Sequence, residues 1–313
     1  MNFKKPKFWD YKKPSFISYL LLPISFLLRL LNSLKTKLTS ATKFSEIKTI
    51  CVGNIYLGGT GKTSLSLKIN DILKDKNIKS CFIKKHYKDQ VDEQKILKNS
   101  GKLIKAAKRE IAIKHAISEG YKVAILDDGL QDMSIKYDLC IVCFNNINWI
   151  GNGLTIPSGP LRENINNLKK YKHVFLNGNL ENLENIKRDI LKINSEINIY
   201  ISKYIPENIK KFNIKDRYLA FSGIGNHRTF ISMLKSYDLN IVKDIEFPDH
   251  YKYSNTDIEK IILDSKNLEC KIITTEKDFL RLQPKNYNEI NFIKSKLEIQ
   301  NEAEFLQTLT KII

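Results

Sequence analysis

A glycine-rich segment between a predicted strand and a predicted helix constrains the fold most. Residues 47–52 are mostly apolar and β-branched, which is typical of a buried strand. The run Gly58-Gly59-Thr60-Gly61-Lys62-Thr63-Ser64 follows, and Leu65, Leu67 and Ile69 belong to the helix predicted after it. The three glycines let the backbone bend tightly and approach a ligand closely. A strand, a tight turn and a helix in this order indicate a layered α/β protein.

This turn has the residues of a phosphate loop. Its backbone N–H groups can point at phosphate oxygens, and the helix N-terminus adds positive potential. Lys62 would reach the β- and γ-phosphates of a nucleotide, and the Thr63 hydroxyl would hold Mg²⁺. Tyr56 stands where the motif has its first glycine. The alternative, a chance Gly-Lys-Thr in a glycine-rich turn, is disfavoured because strand, loop and helix follow in the order that the motif needs.

Two carboxylates end another buried strand. Residues 122–127 are predicted as a strand that leads into Asp127-Asp128. Ligands of parallel sheets bind at the carboxyl ends of the strands, which would place both acids beside the phosphate loop. One would hold Mg²⁺, and the other would position a ligand or the water shell of the metal. Considered alone, Asp127 and Asp128 could equally well begin a turn.

The alternation of strands and helices from 47 to 176 predicts a three-layer α/β/α domain with a mostly parallel sheet. The predicted strands are 47–53, 79–84, 122–127, 137–144 and 173–177, and the predicted helices are 61–74 and 103–119. This P-loop domain is assigned to residues 1–212. Strand–helix units begin again at Arg217, which predicts a smaller α/β domain at 213–313.

Two segments carry candidate acids and bases. Asp92 and Glu93 follow the strand predicted at 79–84, at the edge of the sheet where the phosphate loop lies. A solvated charged loop is the simpler interpretation of this segment. His250 lies between a strand and a helix beside Asp249, and a histidine there can titrate near neutral pH with a carboxylate partner. A surface or capping role is more common for such a histidine.

The loop from Trp149 to Glu163 is a further candidate for the site. It is rich in glycine and proline, and fifteen residues without a periodic pattern are usually functional or disordered. The apolar residues Trp149 and Ile150 make disorder the weaker interpretation. Arg162 and Glu163 would reach phosphate and metal respectively, or would only begin the next helix.

Charge and the N-terminal segment indicate an anionic partner. The chain has 313 residues, of which 52 are Lys or Arg and 34 are Asp or Glu, a net charge of +18. Nucleic acid, an anionic membrane or a phosphorylated substrate would each satisfy this charge. An apolar helix at about 14–36 is preceded by lysines and interrupted by Pro23 and Arg29. It is too short and polar to span a bilayer, so we expect it to lie in the membrane interface rather than in a soluble core.

Several motifs together resemble the tetraacyldisaccharide 4′-kinase family, the lipid A 4′-kinases of Gram-negative bacteria. The resemblance runs through nearly the whole chain, and the family also lacks the first glycine of the phosphate loop. The matching segments are Pro-x-Phe-Trp at 6–9, the run from Val52 to Thr63, Asp127-Asp128-Gly129-Leu130-Gln131, Gly151-Asn152-Gly153, 157–163, 223–226, 247–250 and 274–278.

The resemblance implies transfer of the γ-phosphoryl group of ATP to the 4′-hydroxyl of a tetraacylated glucosamine disaccharide 1-phosphate, giving lipid IVA. It implies ATP and Mg²⁺ as cofactors, and a peripheral place at the cytoplasmic face of the inner membrane. By motif position Asp92 would be the catalytic aspartate, oriented by His250. The metal and nucleotide acids would be Asp127, Asp128 and Glu163.

The chain departs from the family pattern at two places. Lys85-His86-Tyr87-Lys88 stands where the family has Arg-Gly-Tyr-Gly, and Asp132 stands where it has histidine. Three alternatives stay open: a membrane-recruited P-loop NTPase switch without lipid kinase activity, a non-catalytic lipid-binding relative, and a nucleic-acid binder. The expectation is a monomeric kinase that binds the lipid disaccharide and the anionic membrane surface but no nucleic acid.

Overall fold

A computed structural model of the chain describes residues 5–85, 91–178, 183–282 and 288–313. Within these ranges the chain forms twelve strands and ten α-helices. The strands are β1 (Lys48–Gly53), β2 (Ser80–Lys85), β3 (Leu103–Ala106), β4 (Val123–Asp127), β5 (Leu139–Asn145), β6 (His173–Asn177), β7 (Asn198–Pro206), β8 (Arg217–Ser222), β9 (Asn240–Glu246), β10 (Lys271–Thr275), β11 (Ile290–Ile293) and β12 (Ser295–Ile299). The helices are α1 (Phe16–Leu20), α2 (Leu22–Leu38), α3 (Lys62–Asp75), α4 (Val91–Ser100), α5 (Arg109–Ser118), α6 (Leu183–Ile193), α7 (His227–Ser236), α8 (Asn255–Asn267), α9 (Glu276–Leu282) and α10 (Glu302–Thr310).

Eight strands form a large sheet in the order β12-β7-β6-β5-β1-β4-β2-β3. Every neighbouring pair is parallel except β12 and β7, which are antiparallel. The central strand β1 is buried on both faces, as its apolar run predicts for a parallel sheet. The predicted α/β/α architecture with a mostly parallel sheet is confirmed.

Helices cover both faces of the large sheet. On one face Leu65 and Ile69 of α3, Leu97 of α4 and Phe305 of α10 share a core with the strands. On the other face α6 and α5 pack over different halves of the sheet, each through apolar side chains such as Ile190. The carboxyl ends of the parallel strands all lie at one edge of the large sheet. The sequence analysis predicts the site at this edge.

A smaller parallel sheet forms the second unit, with the strand order β11-β10-β8-β9. Helix α7 covers one face through Phe230 and Leu234, and α8 covers the other through Ile258 and Ile261. This second α/β unit is the one that the sequence predicts after residue 213.

The strand pairing at the C-terminal end differs from the predicted domain boundary. The predicted second domain, 213–313, includes residues 295–313, but β12 pairs with β7 at the edge of the large sheet. Helix α10 follows β12 and buries Phe305 and Leu309 in the core of that sheet. The second unit is therefore inserted between β7 and β12. Sequence alone could not show this, because β12 is too short to indicate which sheet edge it joins.

Two local predictions between 84 and 119 also differ from the structure. The helix predicted over 103–119 is a strand, β3, followed by the shorter helix α5. Leu103 to Ala106 adopt strand geometry because they pair with Phe82 to Lys85 of β2. The segment interpreted as a charged loop contains helix α4, which begins at Val91.

The N-terminal apolar segment forms two helices rather than one. Helix α1 ends before Leu21 and α2 begins at Leu22, with Pro23 in its first turn, where a proline is tolerated. Among the described residues, no helix has the length and apolarity that crossing a membrane requires. The outer face is strongly apolar and solvent-exposed: Phe16 is 82% exposed and Leu38 is 87% exposed.

Hydroxyl groups attach these helices to the rest of the protein. The Ser25 hydroxyl lies 2.7 Å from the Ser158 hydroxyl and donates to the Thr155 carbonyl. Asn152 donates to the Ser18 hydroxyl at 3.1 Å. Both serines are buried. The usual polarity of a surface helix is thus inverted, with hydroxyls inside and leucines outside.

Candidate functional site

The phosphate loop is shaped by glycines in the segment between β1 and α3. Gly58 and Gly61 have positive φ angles of 144° and 81°, and Gly61 directly precedes helix α3. The Asn177 amide fixes the loop from β6 by donating to the Thr60 carbonyl at 2.8 Å. A Cβ on Gly61 would lie 1.5 Å from the Asn177 amide nitrogen, so only glycine fits there.

The predicted loop residues lie between the end of β1 at Gly53 and the first turn of α3, as the sequence predicts. Lys62 and Thr63 are the first residues of α3, and Ser64 accepts a hydrogen bond from the Tyr204 hydroxyl. The Thr60 hydroxyl oxygen is buried and has no hydrogen-bond partner among the described residues. Such an atom at the base of a glycine-rich turn is suited to a bound ligand or water.

Asp127 and Asp128 take different partners at the end of β4. The Thr63 hydroxyl lies 3.5 Å from Asp127 Oδ2, so this pair brings together a hydroxyl and a carboxylate beside the loop. Asp128 instead faces two cations: Lys62 Nζ at 3.7 Å and Arg162 Nη1 at 2.8 Å. Burial opposes ionisation, but Lys62 and Arg162 hold the pKa of Asp128 well below its usual value. Asp128 is therefore ionised.

Glu163 is joined to Arg162 through the side chain of Gln131, which accepts from Arg162 at 3.1 Å. It accepts hydrogen bonds from Gln131 at 3.2 Å and from Asn167 at 2.8 Å, and the Tyr171 hydroxyl lies 3.4 Å away. Across residues 5–85, 91–178, 183–282 and 288–313, no cluster of three or more His, Cys, Asp or Glu side chains has the geometry of a metal site. Of the predicted metal ligands, the structure brings only Thr63 and Asp127 into direct proximity.

The second unit contributes His250 to the same edge. His250 Nε2 lies 4.0 Å from Glu93 Oε1, and its Nδ1 lies 3.4 Å from Arg281 Nη2. Its backbone has φ 57°, a left-handed conformation that its N–H secures by donating to the Gly223 carbonyl. Asp278 supports this loop by accepting from the Gly223 N–H at 3.0 Å.

Asp92 lies in the first turn of α4, and its side chain is outside the described part of the structure. Its neighbour Glu93 is described and faces Lys84, His250 and Lys277. Burial raises the pKa of Glu93, but the ammonium groups of Lys277 and Lys84 outweigh it and lower that pKa to about 2. Glu93 is thus a carboxylate at the junction of the two units.

Sequence reasoning missed two basic residues of the site. Lys84, at the end of β2, is 1% exposed and donates to Asp127 at 2.7 Å. Arg109 donates to the Asp128 carbonyl and pairs with Asp132 at 2.9 Å, which gives a role to the residue that departs from the family pattern. The available signal was weak: a lysine ending an apolar strand, and an arginine beginning a helix.

A strand, a phosphate loop and a helix, with acids at the end of the adjacent strand, define a P-loop nucleotide-binding α/β protein. The family model for tetraacyldisaccharide-1-P 4′-kinase matches residues 17–313. The chain belongs to the tetraacyldisaccharide 4′-kinase family and is accordingly an enzyme of the kinase class.

Relatives and a solved structure agree with this assignment. A tetraacyldisaccharide 4′-kinase of Pelagibacter ubique is 60% identical over 314 residues, covering 100% of this chain and 99% of the relative. One from Rickettsia typhi is 35% identical and covers 95% and 94%. A crystal structure of LpxK from Aquifex aeolicus in complex with ATP shares the fold, with a TM-score of 0.71, 22% identity and coverage of 95% and 99%.

Proposed function

We propose that this chain transfers the γ-phosphoryl group of ATP to the 4′-hydroxyl of a tetraacylated glucosamine disaccharide 1-phosphate, giving lipid IVA in lipid A biosynthesis. The observation that carries this proposal is a chain of contacts at one edge of the protein. Thr63 of the phosphate loop lies beside Asp127, and Lys84 joins Asp127 to Glu93, which faces His250. The family and the names of the relatives support the same reaction.

The product is the direct test of this reaction. The purified protein, given ATP and a monophosphoryl lipid disaccharide, should add one phosphate to the lipid, detected as a mass shift. ATP hydrolysis without a phosphorylated lipid would instead favour a nucleotide-dependent switch. Absence of both activities in folded protein would favour a non-catalytic lipid-binding protein.

The site residues fit ATP and Mg²⁺. The N–H groups from Gly58 to Ser64 would bind phosphate oxygens, with Lys62 reaching the β- and γ-phosphates. The Thr63 hydroxyl and the Asp127 carboxylate are hard oxygen donors of the type that Mg²⁺ prefers. The bound metal would offset charge on the phosphates. Asp128 and Glu163 would complete the site by orienting Lys62, Arg162 and the surrounding polar groups.

We assign the acceptor side of the reaction to Asp92 and His250. Asp92 would accept the proton of the 4′-hydroxyl, because a carboxylate positioned at the attacking oxygen acts as a general base. His250, held by Arg281 and beside Glu93, would orient Asp92 from the second unit. Approach of the second unit to the loop would also exclude water from the reacting groups.

Asp92→Asn tests the assignment of the base. We expect a fall in kcat of about 10²-fold or more, with ATP binding retained, because the general base is lost while the phosphate loop is intact. Turnover with the lipid disaccharide and binding of a fluorescent ATP analogue are measured together. Asp75→Asn, on an exposed position of α3, is the matched control. Near-normal turnover of Asp92→Asn would reject this residue as the base.

The exposed apolar face of α1 and α2 is the proposed membrane contact. It would lie in the interface, with the basic N-terminal segment near anionic headgroups. This would place the protein peripherally at the cytoplasmic face of the inner membrane, where the lipid acceptor can enter the site. We further propose that the protein acts as a monomer and has no nucleic-acid partner.

A further inference from the structure

A fully buried lysine lies among the acids of the site. Lys84 Nζ is 2.7 Å from Asp127 Oδ2 and also contacts the carboxylate of Glu93. The same oxygen of Asp127 is the one that lies 3.5 Å from the Thr63 hydroxyl. The ammonium group therefore uses the Asp127 oxygen that faces the phosphate loop.

This lysine carries its charge despite its burial. Its ammonium group forms ion pairs with two carboxylates, that of Asp127, which is 0% exposed, and that of Glu93, which is 18% exposed. A buried ammonium needs such partners, because burying an unpaired charge is strongly unfavourable. Lys84 therefore places a monovalent cation between Asp127 and Glu93.

The other cations near the loop are engaged elsewhere or at longer range. Lys62 and Arg162 face Asp128, not Asp127. Lys277 lies 3.9 Å from Glu93, on the side of the second unit. A divalent metal bound between Thr63 and Asp127 would therefore have to replace the contact that Lys84 makes with Asp127.

We propose that Lys84 is a positioning residue whose ammonium group balances the charges of Asp127 and Glu93 while no divalent metal is bound beside Asp127. It holds Asp127 and Glu93 together in the nucleotide-free enzyme. A divalent cation can coordinate Asp127 only by displacing the ammonium group of Lys84 from that carboxylate. The cation alone then binds weakly, whereas nucleotide phosphates supply the further oxygen ligands that make displacement favourable. This inference rests on the proposed role of Asp127 as a metal ligand.

Binding of Mn²⁺ to the nucleotide-free protein tests the inference, with free Mn²⁺ measured by electron paramagnetic resonance. Lys84→Met removes a fixed positive charge a few ångströms from the metal position, so we expect binding to tighten by about tenfold or more. Lys122→Met, at the exposed opposite end of the same sheet, should bind as the wild type does. If Lys84 served only to stabilise the fold, its replacement by methionine would not tighten Mn²⁺ binding. Unchanged or weaker Mn²⁺ binding by folded Lys84→Met would overturn the inference.

A second variant keeps the shape of the contact without its charge. The amide of Lys84→Gln can still donate to a carboxylate, and its Mn²⁺ binding should tighten as well. If both variants unfold, the ammonium nitrogen resonance of Lys84 in isotope-labelled wild type decides. Addition of Mg²⁺ and a non-hydrolysable ATP analogue must shift that resonance, and an unmoved signal rejects displacement.

Asp127→Asn separates this inference from the proposed function. If Asp127→Asn binds Mn²⁺ with the ATP analogue as tightly as the wild type, Asp127 is not a metal ligand and the proposed site fails. If Asp127→Asn binds more weakly but neither Lys84 variant binds more tightly, the site stands and only the role of Lys84 is rejected.

Discussion

At the scale of single residues, two glycines let the units touch through their backbones. A Cβ on Gly59 would lie 2.8 Å from the backbone of Gly225, and one on Gly225 would lie 2.3 Å from the Gly59 nitrogen. The phosphate loop and the loop after β8 are therefore in direct main-chain contact. Any side chain at either position would separate them.

Gly59→Ala should impair catalysis much more than folding. The methyl group would force the second unit away from the loop, so we expect kcat to fall about tenfold or more, since displacements of about 1 Å are costly to catalysis. The free energy of unfolding should change by about 1 kcal/mol or less. Gly101→Ala is the control, because its methyl would come no closer than 3.3 Å to a neighbour, a ring carbon of Phe82. Equal turnover of the two variants would contradict the proposed contact.

Asp138 connects the starts of β1 and β5 and should make stability depend on pH. It accepts from the Thr49 N–H and hydroxyl at 2.8 Å each and pairs with Lys43 at 2.6 Å. Burial raises its pKa, but the hydrogen bonds from Lys43 and Thr49 outweigh this and hold the pKa of Asp138 below its usual value. Its stabilisation is thus present above the unfolded pKa and is lost as the pH falls through the folded one.

Asp138→Asn should lower the free energy of unfolding at pH 7 by about 2 kcal/mol, the usual contribution of hydrogen bonds to a charged group. The difference in the free energy of unfolding between wild type and variant should become smaller once the pH falls below about 4, the ordinary pKa of aspartate. Below that pH the wild-type carboxyl begins to be protonated and loses the charge that the variant lacks. Urea unfolding at several pH values measures this difference, with exposed Asp75→Asn as the reference. A deficit that is constant down to pH of about 2 would show that the carboxylate charge is not involved.

Sequence motifs locate candidate residues best where the motif is local. Lys62 and Thr63 adjoin each other in sequence, and Asp127 ends a recognisable strand. Lys84 could not be found in this way, because its partner Asp127 is 43 residues away in sequence and only the pairing of β2 with β4 brings them together.

At the scale of elements, the paired helices α1 and α2 invert the usual distribution of side chains. Their buried residues include Ser18 and Ser25, which bond to the loop from Asn152 to Ser158. Attachment by hydroxyl groups leaves the apolar side chains available to lipid. The N-terminal apolar run predicted a helix of this kind, but the break at Leu21 and the hydroxyl contacts depend on the tertiary structure.

Replacing Phe16, Leu20 and Phe26 together by serine should abolish most binding to anionic vesicles, since these side chains are 82%, 68% and 62% exposed. The loss of apolar area available to the bilayer is the cause, and the soluble fold should be preserved. Vesicle co-sedimentation measures the effect. Ile111→Ser with Leu263→Ser, two exposed apolar positions elsewhere, should bind vesicles like the wild type. If both sets of variants behave alike, the helices are not the membrane contact.

At the scale of the whole molecule, the last nineteen residues complete the first unit rather than the second. Phe305 is fully buried and lies against Tyr200 and Phe175, with ring centroids 5.1 Å and 5.7 Å away. Alternating strands and helices revealed two α/β units in the sequence. The return of the chain to the first unit depends on which sheet edge is free, and local sequence does not encode that.

Phe305→Ala should destabilise the large sheet by about 3–5 kcal/mol, the typical effect of removing a buried phenylalanine. Chemical denaturation monitored by nucleotide binding reports on that unit. Leu263→Ala on α8, which is 58% exposed, should change stability by about 0.5 kcal/mol or less. A small effect of Phe305→Ala would show that α10 is not integral to the core.

The insertion between β7 and β12 gives the protein a nested topology. Pro206 and Ser295, which flank the insertion, are register partners, and the Glu207 N–H donates to the Lys294 carbonyl beside them. A short hairpin turn would join the two strands at this point without the second unit. The phosphate-binding half is therefore topologically complete, and the half that carries His250 is an extension of one of its hairpins.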